Sequence, residues 1–243
     1  MINLTSHGIL NDNKAPNIEA FGIEQLSLLS AASELNDPQQ FLEAMVSTVT
    51  NYTAEQLTVG DLLQLAVYHR IQAYPNSPIS INWKCKGLLY TLPDNPEMFK
   101  ASEVAEMSPE QRESLEPYTC NSENVIKYDF ETFPMMMLPD TINTLDPDLQ
   151  IPNATLYPEL VLLTANPSTA KLVNVAAWVK EGNTIQEKLE TIGSQPNLDL
   201  FDRASKASKE FQHGPYSKLR ASCPACGTEV VRNVTINTNS FFR

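Results

Sequence analysis

Four cysteines are the residues of this sequence whose type and spacing could do chemistry: Cys85, Cys120, Cys223 and Cys226. The last two stand in Cys223-Pro224-Ala225-Cys226-Gly227, the usual turn of a zinc ribbon. Two thiolates at that spacing face one cation, and the glycine behind them lets backbone amides turn toward the sulfurs. With Cys85 and Cys120 the ligand count reaches four, which closes a tetrahedral structural zinc site and leaves no open position for catalysis. The long stretch between Cys85 and Cys120 is an irregular ligand spacing, so the motif specifies two ligands and the count suggests the other two.

Other readings of the cysteines stay open. A thioredoxin-like redox pair would stand at a helix start after a strand, whereas this one is expected between two strand-like runs. A disulfide pair needs an oxidising compartment, and four inert buried thiols need nothing further. Among the histidines, His213 is an alternative ligand if Cys85 does not reach. His69 falls within an amphipathic helix and reads as a packed or half-exposed side chain and not as a ligand, and His7 lies in the loose arm at the start of the chain. There is no H-E-x-x-H pattern, no recognisable nucleophile motif and no phosphate-cradling glycine loop among the 8 glycines. The sequence therefore makes no positive case for an enzyme.

The elements that must position the cysteines belong to a chain of 243 residues with 42% hydrophobic and 19% charged side chains, which is enough to build a core. No run approaches the roughly 18 apolar residues of a membrane span, and the opening residues have neither a basic lead nor an apolar stretch, so no secretory signal is expected. The net charge of −12 counts against a dedicated nucleic-acid partner. The charge is uneven: residues 1–202 carry 10 basic against 27 acidic side chains, and residues 203–243 carry 7 against 2. A basic C-terminal part on an acidic body could serve a phosphate backbone, an acidic protein, or nothing beyond a solvated surface.

The expected fold class is α+β: helical segments plus two small β-hairpin, zinc-ribbon-like elements. Residues 1–20 read as a loose arm. Helices are expected over residues 22–35, from the Asp37-Pro38 cap, and behind Thr58-Val59-Gly60-Asp61, a capping box with Asp in place of Glu. Ile79, Ile81 and Trp83 then alternate with polar residues in a strand that delivers Cys85, with residues 88–91 as its hairpin partner. Residues 93–118 read as a Pro- and acid-rich insertion with a short helix at Ser108-Pro109. After Cys120, alternation of Ile126, Tyr128 and Phe130 gives another strand, and the Met-rich segment 133–138 reads as core or interface filling. Residues 160–163 look strand-like. Helices are expected from Ser168, from Thr184, and over residues 198–212, before strand-like runs at 218–222 and 230–236. The resulting division is an arm (1–20), helices with a cysteine-bearing hairpin and an insertion (21–138), and helices with a C-terminal zinc-ribbon-like hairpin (139–243), the two halves able to pack as one domain.

The two cysteine regions echo each other. Each follows a helix that ends at a proline turn, and a short strand then leads to a cysteine, from Gln72 to Cys85 in one copy and from Gln212 to Cys223 in the other. Beyond Cys120 stand Glu123 and Val125, and Glu229 and Val231 stand at the same offsets beyond Cys226.

Two stretches carry a resemblance. One is Leu57-Thr58-Val59-Gly60-Asp61-Leu62-Leu63-Gln64-Leu65, continuing through Arg70-Ile71-Gln72-Ala73-Tyr74-Pro75-Asn76-Ser77-Pro78 to Trp83-Lys84-Cys85. The other is His213-Gly214-Pro215, leading to Cys223-Pro224-Ala225-Cys226-Gly227 and the terminal Phe241-Phe242. Together they resemble the baseplate-hub assembly proteins of T-even-like contractile-tailed bacteriophages, over about a third of the chain. The resemblance implies a non-enzymatic structural or assembly role, other phage baseplate and hub proteins as partners, and a location in the host cytoplasm during assembly or in the tail baseplate of the virion. The alternative, from the basic C-terminal part, is a zinc-ribbon nucleic-acid-binding or transcription-associated protein.

Overall fold

The structure is a computed structural model and describes residues 2–76, 79–93 and 95–234. Ser77-Pro78, residues 235–236 of the last strand-like run and the terminal Phe241-Phe242 lie outside the described residues.

In chain order the elements begin with three helices, α1 (Ile23–Leu35), α2 (Pro38–Val46) and α3 (Val59–Ala73). Strands β1 (Ile79–Lys84), β2 (Leu88–Leu92) and β3 (Asn95–Lys100) follow, then two single-turn helices, α4 (Ala101–Ala105) and α5 (Pro109–Glu113). Next come β4 (Glu116–Thr119), β5 (Glu123–Tyr128) and a very short β6 (Met135–Met136). Four helices, α6 (Tyr157–Thr164), α7 (Pro167–Ala176), α8 (Ile185–Ser194) and α9 (Asp199–Glu210), lead to β7 (Gly214–Pro215), β8 (Lys218–Ser222) and β9 (Glu229–Asn233). The fold is α+β, as expected.

The chain divides into two compact units that interleave along the sequence. A helical unit takes Met1–Pro75 and Phe133–Tyr216, and a hairpin unit takes Asn76–Thr132 and Ser217–Val234. The expected boundaries at 21–138 and 139–243 instead follow the chain. The interleaving arises because helices from both halves share one set of apolar clusters and hairpins from both halves share the cysteines.

In the helical unit, α2 packs against α1, α3 and α6, with Phe41, Met45, Leu62 and Leu65 buried between them. The capping signals account for where these helices start. Asp37 accepts from the Gln39 and Gln40 amides to open α2, and Thr58 Oγ1 accepts from the Asp61 amide to open α3. α7 is capped by Asn166, two residues before the expected cap Ser168, because Asn166 accepts from the Ser168 amide and Pro167 fills the first turn. Residues 160–163 lie in α6 and not in a strand. A short apolar run carries no period of its own, and Pro158 in the first turn of that helix is the stronger signal.

Residues 1–20 are not a loose arm. Leu4, Thr5 and Ser6 are buried in the helical unit. Asp61, itself fully buried, accepts from Thr5 Oγ1 (3.2 Å), the Ser6 amide (3.0 Å), Ser6 Oγ (2.5 Å) and the Thr58 amide (3.2 Å). Gln64, one turn on, accepts from the Thr5 amide at 2.8 Å and donates to the Asn3 carbonyl at 2.9 Å. The N-terminal segment has few apolar residues because polar groups hold it, so hydropathy alone misreads it.

His69 is a packed core histidine, as expected. It is fully buried, its Nε2 lies 2.8 Å from Thr48 Oγ1, and its ring meets Phe21 edge-on at 4.3 Å. Burial lowers its pKa from 6.5 to about 4. The protonated form is disfavoured in the fold relative to the unfolded chain. This contribution to stability is therefore fully present above pH 6.5 and is lost as pH falls toward 4. We predict a loss of about 3 kcal/mol across that window, read as a falling urea midpoint of the helical unit. His69→Leu will remove that part of the slope.

Candidate metal centre

In the hairpin unit β1 pairs antiparallel with β5, and β8 with β9. Residues 88–91 are not the partner of β1. They form β2, the central strand of a separate three-stranded sheet in the order β3-β2-β4. β5 takes the place beside β1 because its inward row Asn124, Ile126, Tyr128 registers against Trp83, Ile81 and Ile79. Residues 93–118 thus hold strands as well as the expected short helix.

Each hairpin ends at a cysteine turn, and the two turns are built alike. The Cys85 amide donates to the Ser122 carbonyl at 2.9 Å, and the Cys223 amide donates to the Thr228 carbonyl, also at 2.9 Å. Ser122 and Thr228 hold the same offset, two places beyond the second cysteine of their turn. Each hydroxyl lies 3.2 Å from that cysteine's sulfur. Glu123 and Glu229 then open β5 and β9. The sequence echo is therefore a repeated knuckle. In the first copy the β3-β2-β4 sheet, α4 and α5 are inserted between the cysteines, and the Cys120 amide returns to the Gly87 carbonyl at 2.8 Å to close the gap.

The two turns bring together all four cysteines expected as ligands. Cys85, Cys120, Cys223 and Cys226 are buried, free of disulfides, and their Sγ atoms lie within 4.8 Å of one another. Cys85 and Cys226 are 3.4 Å apart and Cys120 and Cys223 are 3.8 Å apart. With metal–sulfur bonds of about 2.3 Å, a tetrahedral four-thiolate site has sulfur–sulfur edges of about 3.8 Å. The arrangement could therefore hold a metal ion. Among the described residues the cluster of buried side chains around the sulfurs adds only Leu89. His213 is not part of it. That side chain belongs to the helical unit, where its Nε2 lies 2.7 Å from Thr58 Oγ1.

Gly87 is required by this close approach. A Cβ there would stand 2.0 Å from Thr228 Oγ1 and 2.9 Å from Cys226 Sγ, so any larger residue would drive the two knuckles apart. Gly227 has a φ of +74°, the left-handed conformation that lets the second knuckle reverse after Cys226.

The sulfurs differ in electrostatic setting. Burial pushes the Cys85 thiol up to about 12, opposed by the Gly87 amide, which donates to its sulfur at 3.3 Å. Burial also raises Cys223, but the Ser122 hydroxyl and the Cys226 and Ala225 amides outweigh it and bring that thiol down to about 6. Cys226 is likewise lowered against its burial by the Thr228 hydroxyl and amide. The hydrogen bonds of the C-x-x-C turn thus favour the thiolate, the form a metal binds. The sequence reading missed Gly87, Ser122, Asn124 and Thr228. The signal for two of them is a hydroxyl at the same short offset after Cys120 and after Cys226.

No protein-family model matches this chain, and no curated protein and no solved structure is significantly similar to it.

Proposed function

We propose that the four cysteines bind one structural zinc ion, and that the chain is a non-enzymatic structural or assembly component of the baseplate hub of a contractile-tailed phage. One observation carries the metal part: four buried sulfurs at tetrahedral spacing from two repeated knuckles. All-thiolate donors favour zinc among the available divalent ions, and a filled ligand set leaves the ion no open position for substrate. The ion joins the turns of two hairpins that also bury Ile79, Trp83, Tyr128 and Leu219, and its binding free energy adds directly to folding. Resemblance of residues 57–85 and 213–227 to phage hub assembly proteins supports the assembly role.

The nucleic-acid alternative draws on the basic residues after 202. Arg203, one of them, already faces Asp146 (2.6 Å), Asp199 (2.9 Å) and Asp148 (3.1 Å), so its charge is spent within the helical unit. Co-expression with the tail-hub proteins of a contractile-tailed phage, followed by affinity capture through this chain, tests the role. Recovery of hub subunits in a defined complex is expected. No association with any of them, together with salt-dependent binding to DNA or RNA, would overturn the role in favour of the alternative.

A further inference from the structure

Asn124 breaks the repeat between the knuckles. It occupies the inward row of β5 beside Ile126 and Tyr128, at the position that Val230 holds in the second copy, yet it is only 8% exposed. A buried amide on an otherwise apolar row is costly unless its hydrogen bonds are made. Its side-chain partners lie at the cysteine turns: Nδ2 faces the Ser122 carbonyl at 3.1 Å, Ser122 Oγ at 3.2 Å and Cys223 Sγ at 3.7 Å, and Oδ1 lies 4.0 Å from the same sulfur. Ser122 Oγ in turn lies 3.2 Å from Cys120 Sγ in its own knuckle and 3.1 Å from Cys223 Sγ in the other. The hydroxyl of Thr228, its counterpart, meets the sulfur of Cys226 in its own turn at 3.2 Å.

We propose that Ser122 and Asn124 are positioning residues that clasp the second knuckle to the first, and that they set the strength of the metal site by donating to the Cys223 thiolate. This rests on the four-thiolate reading above. Once a metal is bound, every sulfur can only accept, so an O–H and an N–H aimed at Cys223 hold it at the ion and withdraw charge from a dianionic centre. The remaining hydrogen bonds serve single knuckles, the Thr228 hydroxyl on Cys226 and the Gly87 amide on Cys85. Among the described residues, the O–H and N–H contacts to sulfur that cross from one knuckle to the other are those of Ser122 and Asn124 on Cys223. Outer hydrogen bonds of this kind are worth about 10- to 100-fold in metal affinity.

The test uses the full chain loaded with Co²⁺, whose sulfur-to-metal charge-transfer band reports directly on thiolate electron density. Ser122→Ala and Asn124→Val, the latter matching the residue of the second knuckle, are compared with Ser122→Thr and with Thr228→Ala. Cobalt release to a chelator is expected to be about 10- to 100-fold faster in Ser122→Ala and Asn124→Val, with the band moved to longer wavelength. Ser122→Thr should restore both readouts, and Thr228→Ala should change release less than Ser122→Ala. If Ser122→Ala does not fold, Asn124→Val carries the comparison, since it keeps a strand-favouring residue. Wild-type release and band position in Asn124→Val would overturn the clasp while leaving the metal site intact. Failure of the wild-type chain to give a tetrathiolate cobalt spectrum would overturn the four-thiolate reading and the clasp with it.

Discussion

Stripping the proposed zinc with a chelator will unfold the strand pairs β1–β5 and β8–β9 and leave the helical unit folded. β1–β5 and β8–β9 are two-stranded pairs, a form that is marginal in water without a partner surface. The buried cluster at their turns is four sulfurs and Leu89. Four-cysteine zinc binding supplies about 10–16 kcal/mol near neutral pH, comparable to or above a domain's whole stability of about 5–15 kcal/mol. The helical unit keeps its own clusters around Phe41 and Leu65 and around Trp178 and Phe211. Amide hydrogen exchange separates the two outcomes. Protection should vanish across β1, β5, β8 and β9 on chelation and persist in α3 and α7. Trp83, 6% exposed in β1, should report the same event by a shift of its emission to longer wavelength. Hairpin amides that stay protected without metal would show that the strands hold themselves.

Asp61→Ala will be the most damaging single substitution among the polar residues of the helical unit. The carboxylate is fully buried and takes four hydrogen bonds, three of them from Thr5 and Ser6. Removing it strands the Ser6 and Thr58 amides and two hydroxyls where water does not reach, and each such group costs about 1–3 kcal/mol. These costs overlap because the N-terminal segment can swing out and rehydrate, so the expected loss is about 3–5 kcal/mol. For a unit of this size that is a fall in Tm of roughly 6–20 °C. Ser6→Ala should cost less alone and almost nothing on top of Asp61→Ala, the coupling expected of residues in one network. A change within about 0.5 kcal/mol of wild type for Asp61→Ala would mean that the segment is held by Leu4 and its apolar neighbours alone.

Local chemistry is legible in the sequence, and pairing across long separations is not. Asp37-Pro38 and Thr58-Val59-Gly60-Asp61 mark their helix starts because a cap is written in consecutive residues. The Cys223-Pro224-Ala225-Cys226-Gly227 turn is legible for the same reason, and ligand count points from it to Cys85 and Cys120, which the fold brings into the same cluster. The partner of β1 is misread because residues 88–91 are the nearest strand-like run. The register that decides the pairing is the inward row of Asn124, Ile126 and Tyr128, much further along the chain. Asp61 shows the same limit. Its capping role is visible in the sequence, but its second role, holding Thr5 and Ser6 from a distant part of the chain, requires coordinates. Ser122 and Thr228 lie between these cases, since the hydroxyl shortly beyond a cysteine repeats and gains meaning only once the knuckles are seen to match.

Metal content by elemental analysis, on the wild-type chain and on Cys85→Ser and Cys226→Ser, tests the central claim most directly. One zinc per chain is expected in the wild type, with occupancy reduced sharply by either substitution, because the two knuckles contribute ligands to one ion. Zinc retained in Cys85→Ser and lost only in Cys226→Ser would contradict the four-ligand centre, and a metal-free wild type with folded hairpins would contradict the metal site altogether.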